Sequence, residues 1–278
     1  MDHSSSPAMM RAAFAARRLP HVYLRFPVTP DALRPALREA ARLGAGGLNL
    51  TVPLKEAAVR LVNDLTPQAR AAGAVNTILF RGARSIGHNT DGTGFLRSLR
   101  GHVRLRGARV VVLGAGGSAR AVASALLEAG CTHLTVVNRT PARAEALAER
   151  LRRPGGAVVE VRPCERAAIT AALEEARLVV NTTATGLGAE RLPVRAGTAP
   201  RACLFVDLVY GRRPTPFLHD AARAGRPTMD GAGMLLHQGA LAFEAWTGRP
   251  APVAAMRSAL RAAGLALPHP TAARRGAS

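Results

Sequence analysis

The chain has 278 residues, 48% of them apolar but only 4% aromatic, and carries a formal charge of +20. That length suits one large or two smaller domains, and no apolar run reaches the ~18 to 20 residues of a membrane-spanning helix. The opening MDHSSSPAMMRAAF lacks the basic start and apolar stretch of a secretory leader, so the cytoplasm is the expected location.

In chain order, residues 7–18 read as a short helix with Ser6 as N-cap and Pro7 at the first helical position. Residues 21–26, HVYLRF, alternate like a strand. An amphipathic helix over 31–43 ends at the glycines of 44–47. A strand follows at 48–52, a helix at 54–63 and a strand at 74–80. Such alternation favours a largely parallel sheet covered by helices. A second unit opens with the buried strand 109–113. It continues through a helix at 118–129, a strand at 133–137 and a helix at 141–152. Further strands are expected at 157–161, 178–181 and 203–208, then helices from 216 and over 234–246. The tail after Leu267 reads as disordered.

Several chemistries are not expected. Cys131, Cys164 and Cys203 are scattered and odd in number, which favours reduced thiols. The histidines show no metal-ligand spacing, so no metal is expected. The charge invites a nucleic acid, but the arginines are dispersed and aromatics for base stacking are few.

The run GAGGSA (114–119) follows a buried strand and opens a helix, the context in which glycines receive a dinucleotide. Gly114 permits the tight turn, Gly116 lets the backbone approach a pyrophosphate, and Ala119 keeps helix and sheet close. At the end of the next strand an NAD enzyme usually carries an acid for the ribose hydroxyl. Here the chain reads NRTPAR (138–143), with no acid from 137 to 143. Arg139 and Arg143, with the Thr140 hydroxyl, suit a 2′-phosphate, which favours NADP(H).

The stretch NLTVPLKE (49–56) holds Lys55, the single lysine among 38 basic residues. Around it stand HSSSP (3–7), GAVNT (73–77), GHNTDG (87–92), Tyr210 and DGAGMLLHQ (230–238). Together with the glycine loop and NRT, this ordered set resembles the shikimate dehydrogenase family over almost the whole chain. The resemblance implies reversible NADP(H)-dependent reduction of 3-dehydroshikimate to shikimate. It implies two α/β domains: an N-terminal substrate domain with a mainly parallel sheet, over 1–95 and 233–278, and a Rossmann-type NADP domain over 96–232, with a cleft between them. It assigns Lys55 and Asp91 as the catalytic pair. Ser4 and Ser6 match the serines that hold the substrate carboxylate. Thr51, Asn76, Gln238 and Tyr210 match other substrate contacts. Gly114, Gly116, Gly117, Ser118 and Ala119 match the phosphate loop, Asn138, Arg139, Thr140 and Arg143 the adenosine-phosphate pocket, and Gly231 a further cofactor position. The expected partners are small molecules, with the protein a monomer or homodimer.

The sequence departs from the family at its start, where a strand and a Gly-x-Pro turn usually precede the HSxSP motif. Without them a sheet edge would be exposed and Ser4 and Ser6 would stand on a loose end. Met10 and Arg11 replace the family's usual His-Asn, a packing change. A quinate or aminoshikimate dehydrogenase and a weakly catalytic NADP-binding regulator stay open as alternatives.

Overall fold

The computed structural model describes residues 4–82, 84–185 and 191–267. The expected tail after Leu267 and His3 of the opening motif lie outside them. The first unit contains α1 (Ser6–Ala16), α2 (Leu33–Arg42), β1 (Gly47–Asn49), α3 (Leu54–Ala57), β2 (Asp64–Leu65), α4 (Pro67–Ala72), β3 (Thr77–Arg81), β4 (Arg84–His88) and α5 (Asp91–Leu99). The second contains β5 (Arg109–Leu113), α6 (Gly117–Glu128), β6 (His133–Asn138), α7 (Pro141–Leu151), β7 (Val158–Pro163), α8 (Arg166–Leu173), β8 (Leu178–Asn181), β9 (Leu204–Asp207), α9 (Pro216–Arg223) and β10 (Thr228–Met229). The chain then returns through α10 (Ala232–Thr247) and α11 (Val253–Ala262).

In the second unit the apolar runs RVVVL, LVVN and LFVD become central strands buried on both faces. The sheet order is β10-β9-β8-β5-β6-β7, every pairing parallel. This is the Rossmann order, and the crevice lies where the winding reverses, between β5 and β8. Helices α6 and α7 cover one face through Val122, Leu126, Ala144 and Leu147. Ile169, Leu173, Phe217 and Leu218 of α8 and α9 cover the other.

The first sheet corrects the expectation of mainly parallel pairing. Its order is β1-β3-β4-β2, with β1–β3 and β3–β4 antiparallel and only β2–β4 parallel. The cause is the connection: Arg81 pairs with Arg84, so two residues join β3 to β4. A parallel crossover needs a dozen or more. Gly82 takes φ +58°, the left-handed conformation that such a tight turn favours.

Residues 21–26 are not a strand. Val22, Leu24 and Phe26 alternate as expected, but they are 79%, 65% and 70% exposed. Among the described residues β1 pairs only with β3, so this segment does not join the sheet as a strand. The helix expected over 54–63 is shorter, passing into a 3-10 turn at Ala58–Arg60. The chain must turn there for Asn63 to bond Ser85 and Asp64 to pair with Ile86.

Ser6 is not the N-cap of α1. Ser5 holds that position without a side-chain bond, and Ser6 begins the helix. Ser4 Oγ instead accepts from Ser6 N at 3.4 Å. The helix that follows is anchored: Met9, Met10, Ala13 and Phe14 are buried with Leu236, Phe243 and Met256 of α10 and α11. The substitution at Met10 is thus a packing change, with Arg11 left at the surface.

Helices α5 and α10 join the two units, and the expected boundary at 95/96 falls within α5. Their close approach needs Gly94: a Cβ there would lie 2.7 Å from Gln238 N and 2.8 Å from Gln238 Cβ. Gly94→Ala should therefore cost about 1–3 kcal/mol by overpacking, seen as a lower urea midpoint. A second outcome concerns pH. Burial, then Arg257, Arg97 and Arg100, pushes His237 down from 6.5 to about 4. The unfolded imidazole protonates first on acidification, so this stabilisation is complete above about 6.5 and is lost as pH falls toward about 4. The melting temperature should drop across that window, and His237→Gln should flatten the drop.

Candidate active site

Proline at 53 and the turn Thr51–Leu54 start α3, and its second residue, Lys55, is buried. Asp91 opens α5, where the helix N-terminus favours a carboxylate. The two meet: Lys55 Nζ donates to Asp91 Oδ2 at 2.6 Å. Asp91 Oδ1 accepts from Asn76 Nδ2 at 2.8 Å. The Asn76 amide also reaches Thr90 Oγ1 at 2.9 Å and Gln238 Oε1 at 3.5 Å, while its oxygen accepts from Thr90 N at 2.9 Å. So Lys55, Asp91, Asn76 and Gln238, from α3, α5, the approach to β3 and α10, form one buried polar centre.

That centre continues toward the N-terminus. Thr77 Oγ1 donates to Asn76 Oδ1, and accepts from Asn49 Nδ2. Asn49 Oδ1 accepts from the Tyr23 hydroxyl at 3.0 Å. Burial, with Tyr210 nearby adding, pushes the Tyr23 phenol up to about 12. Burial also raises Tyr210, against the lowering effect of hydrogen bonds from the Ser4 hydroxyl and the Ser5 backbone. Ser4 and Tyr210 are therefore brought together. The Ser6 hydroxyl and the exposed Thr51 side chain take no part in this network among the described residues. Tyr23 and Asn49 were missed by sequence reasoning. Asn49 lies inside the lysine motif, whose asparagine was the available signal. Tyr23 was hidden in a strand-like alternation.

The loop bearing Tyr210 is organised by Asp207. Its carboxylate accepts from Thr215 Oγ1 at 2.6 Å, Val209 N at 3.0 Å and Asn181 Nδ2 at 3.1 Å. Burial raises its pKa, and those three bonds oppose the rise.

At the Rossmann crevice, Gly114 adopts φ +114° and a Cβ there would strike Thr182 Oγ1. Gly116 caps α6 with open space where a Cβ would stand. Gly117, Ser118 and Ala119 form the first turn of α6, with Ala119 fully buried. Backbone N–H groups at such a helix start suit phosphate. Asn138 ends β6 and bonds Thr140 O at 2.9 Å, Thr140 caps α7, and Arg139 and Arg143 are exposed there. Gly231 caps α10; a Cβ would meet the Leu208 carbonyl. An open glycine turn with a basic rim fits a phosphorylated dinucleotide.

A Rossmann unit packed on a second α/β unit with a buried lysine–aspartate pair defines a two-domain nicotinamide-nucleotide oxidoreductase. Comparison with known proteins gives the family. Family models match for the shikimate dehydrogenase substrate binding domain at residues 1–78, shikimate/quinate 5-dehydrogenase at 98–213 and the shikimate 5′-dehydrogenase C-terminal domain at 231–261. Shikimate dehydrogenase (NADP(+)) of Symbiobacterium thermophilum is 48% identical over 94% of this chain and 90% of its own. Shikimate 5-dehydrogenase of Thermus thermophilus, solved with NADP(H) and shikimate, aligns with TM-score 0.81 and 42% identity over 94% and 95% of the two chains. Quinate dehydrogenase of Corynebacterium glutamicum, solved with NAD, aligns at 0.83 and 32% over 94% and 95%. The chain belongs to the shikimate dehydrogenase family.

The paired charges give an expected outcome. Removing one partner of a buried pair strands the other, whereas replacing both with apolar groups is often neutral. Asp91→Ala should cost on the order of 3 kcal/mol in urea unfolding, and Lys55→Met with Asp91→Leu should recover most of it.

Proposed function

We infer that the chain is an NADP-dependent shikimate dehydrogenase, reversibly reducing 3-dehydroshikimate to shikimate in aromatic amino-acid biosynthesis. The observation that carries this reading is the buried Lys55–Asp91 pair, 2.6 Å apart, with Lys55 also bonded to Ser118 of the nucleotide turn. Bound NADPH supplies a hydride. The resulting negative charge on the substrate oxygen needs a donor, and the Lys55–Asp91 pair both stabilises that charge and supplies the proton. A guanidinium, protonated at all working pH, is a poor proton-transfer group. That accounts for one lysine surviving in an arginine-rich chain.

In this reading Asn76 and Gln238 hold ring hydroxyls beside the pair. Ser4 and Ser6, with Tyr210, receive the carboxylate at the far end. Thr51 contributes from the rim. Gly114, Gly116, Gly117, Ser118 and Ala119 cradle the pyrophosphate. Asn138, Arg139, Thr140 and Arg143 take the adenosine 2′-phosphate, and Gly231 lets the chain pass close to the cofactor. The elements from α1 to α5, with α10 and α11, form the substrate domain, and those from β5 to β10 the NADP domain. The protein works in the cytoplasm as a monomer or homodimer. The dispersed arginines support no specific nucleic-acid partner.

The test is turnover followed by NADPH absorbance with shikimate, beside quinate and NAD⁺. Shikimate with NADP⁺ should be the preferred pair, and Lys55→Ala should lose about a hundredfold or more in kcat. Preference for quinate or NAD⁺ would overturn the assignment. NADP⁺ binding without turnover would favour a regulatory role.

A further inference from the structure

Lys55 has a second partner besides Asp91. Its ammonium donates to Ser118 Oγ at 3.2 Å. Ser118 is the second residue of α6, in the turn that the glycine loop offers to phosphate. An ammonium has three N–H donors. With one directed to α5 and one to α6, the direction of the third is fixed.

The contact belongs to a close seam. A Cβ on Gly117 would lie 3.3 Å from Ala74 Cβ and 3.5 Å from Lys55 Cβ, so the start of α6 rests on α3. The next residue of α3 crosses the same seam: Glu56 Oε2 pairs with Arg120 at 3.2 Å. Lys55's own carbonyl accepts from Val75 N at 2.8 Å, so the backbone beneath the ammonium is held as well. Consecutive residues of α3 thus grip alternate residues of α6.

We infer that Ser118 is a positioning residue for the Lys55 ammonium, its hydroxyl coupling the nucleotide-binding turn to the nitrogen that faces substrate. This rests on the reading of Lys55 as the reacting group. Nucleotide on the turn and the orientation of the third N–H are then one linked event. The phosphate itself is met by backbone N–H groups of the turn, which the side chain of Ser118 does not supply.

Because Lys55 is the single lysine, protein grown on ¹⁵Nζ,¹³Cε-lysine gives one side-chain signal. NADP⁺ alone should shift that signal. In Ser118→Ala the shift should shrink by more than half while NADP⁺ affinity, measured calorimetrically, stays within a few-fold. In turnover, Ser118→Ala should lose roughly tenfold in kcat with little change in KM for shikimate, a misplacement effect. Ser118→Thr, which keeps the hydroxyl, should restore both. An unchanged lysine shift in Ser118→Ala overturns the proposal, as does a saturated wild type with no shift. Loss confined to NADP⁺ affinity, with kcat kept, also overturns it and leaves Ser118 a phosphate contact. The lysine signal needs no substrate, so it is read even if wild type fails to turn over shikimate, which would sink the function alone.

Discussion

An ammonium and a carboxylate share an interior only when each is held by more than the other. Lys55 is held from below by Val75 and from the side by Ser118. Asp91 is held by the start of α5, by Asn76 and by its backbone bond to Asn89 Oδ1. Asn89 in turn donates to Ala74 O. The supports come from the stretch leading into β3, from the start of α5 with the residues just before it, and from α6, so these must meet α3 at one point for the charges to be tolerated. The glycines at 92, 94 and 117 sit at those meeting places, where any side chain would press on Ala121, Gln238 or Ala74.

How far the chain could be read followed from where its information lies. The central Rossmann strands β5, β8 and β9 are buried and appear as apolar runs, and α7 and α9 each begin at a proline, which the first helical position tolerates. The first sheet was harder. Its strands β1 and β2 are three and two residues long, below what alternation can reveal. Its pairing direction is set by a turn, not by side-chain pattern. Helix α5 was hidden for another reason. It opens Asp91-Gly92-Thr-Gly94, a turn-like sequence in which each glycine costs a helix ~1 kcal/mol. Tight packing of α5 on α6 and α10 offsets that cost, and packing is not visible in a local window.

The candidate site divides in the same way. Residues inside compact motifs, such as Lys55, Asn76, Asp91 and Gln238, were legible because spacing and type recur together, and they do converge. Tyr23 and Asn49 join that centre through contacts distant in sequence. Asp207 acts further back still, ordering the loop that presents Tyr210 to Ser4. Such supporting residues are defined by what they hold in place, which only the fold discloses.

Of the two helices that bridge the units, α10 belongs to two cores at once. Phe95 and Leu99 of α5 and Met234 of α10 pack with Val110, Val112 and Val122 beneath the parallel sheet. One turn on, Leu236, Ala240 and Phe243 of α10 pack with Met9, Met10 and Met256. Helix α10 cannot leave one core without opening the other. The parallel sheet and the helical cluster of α1, α10 and α11 are thus coupled through one helix, and a change that loosens α10 loosens both.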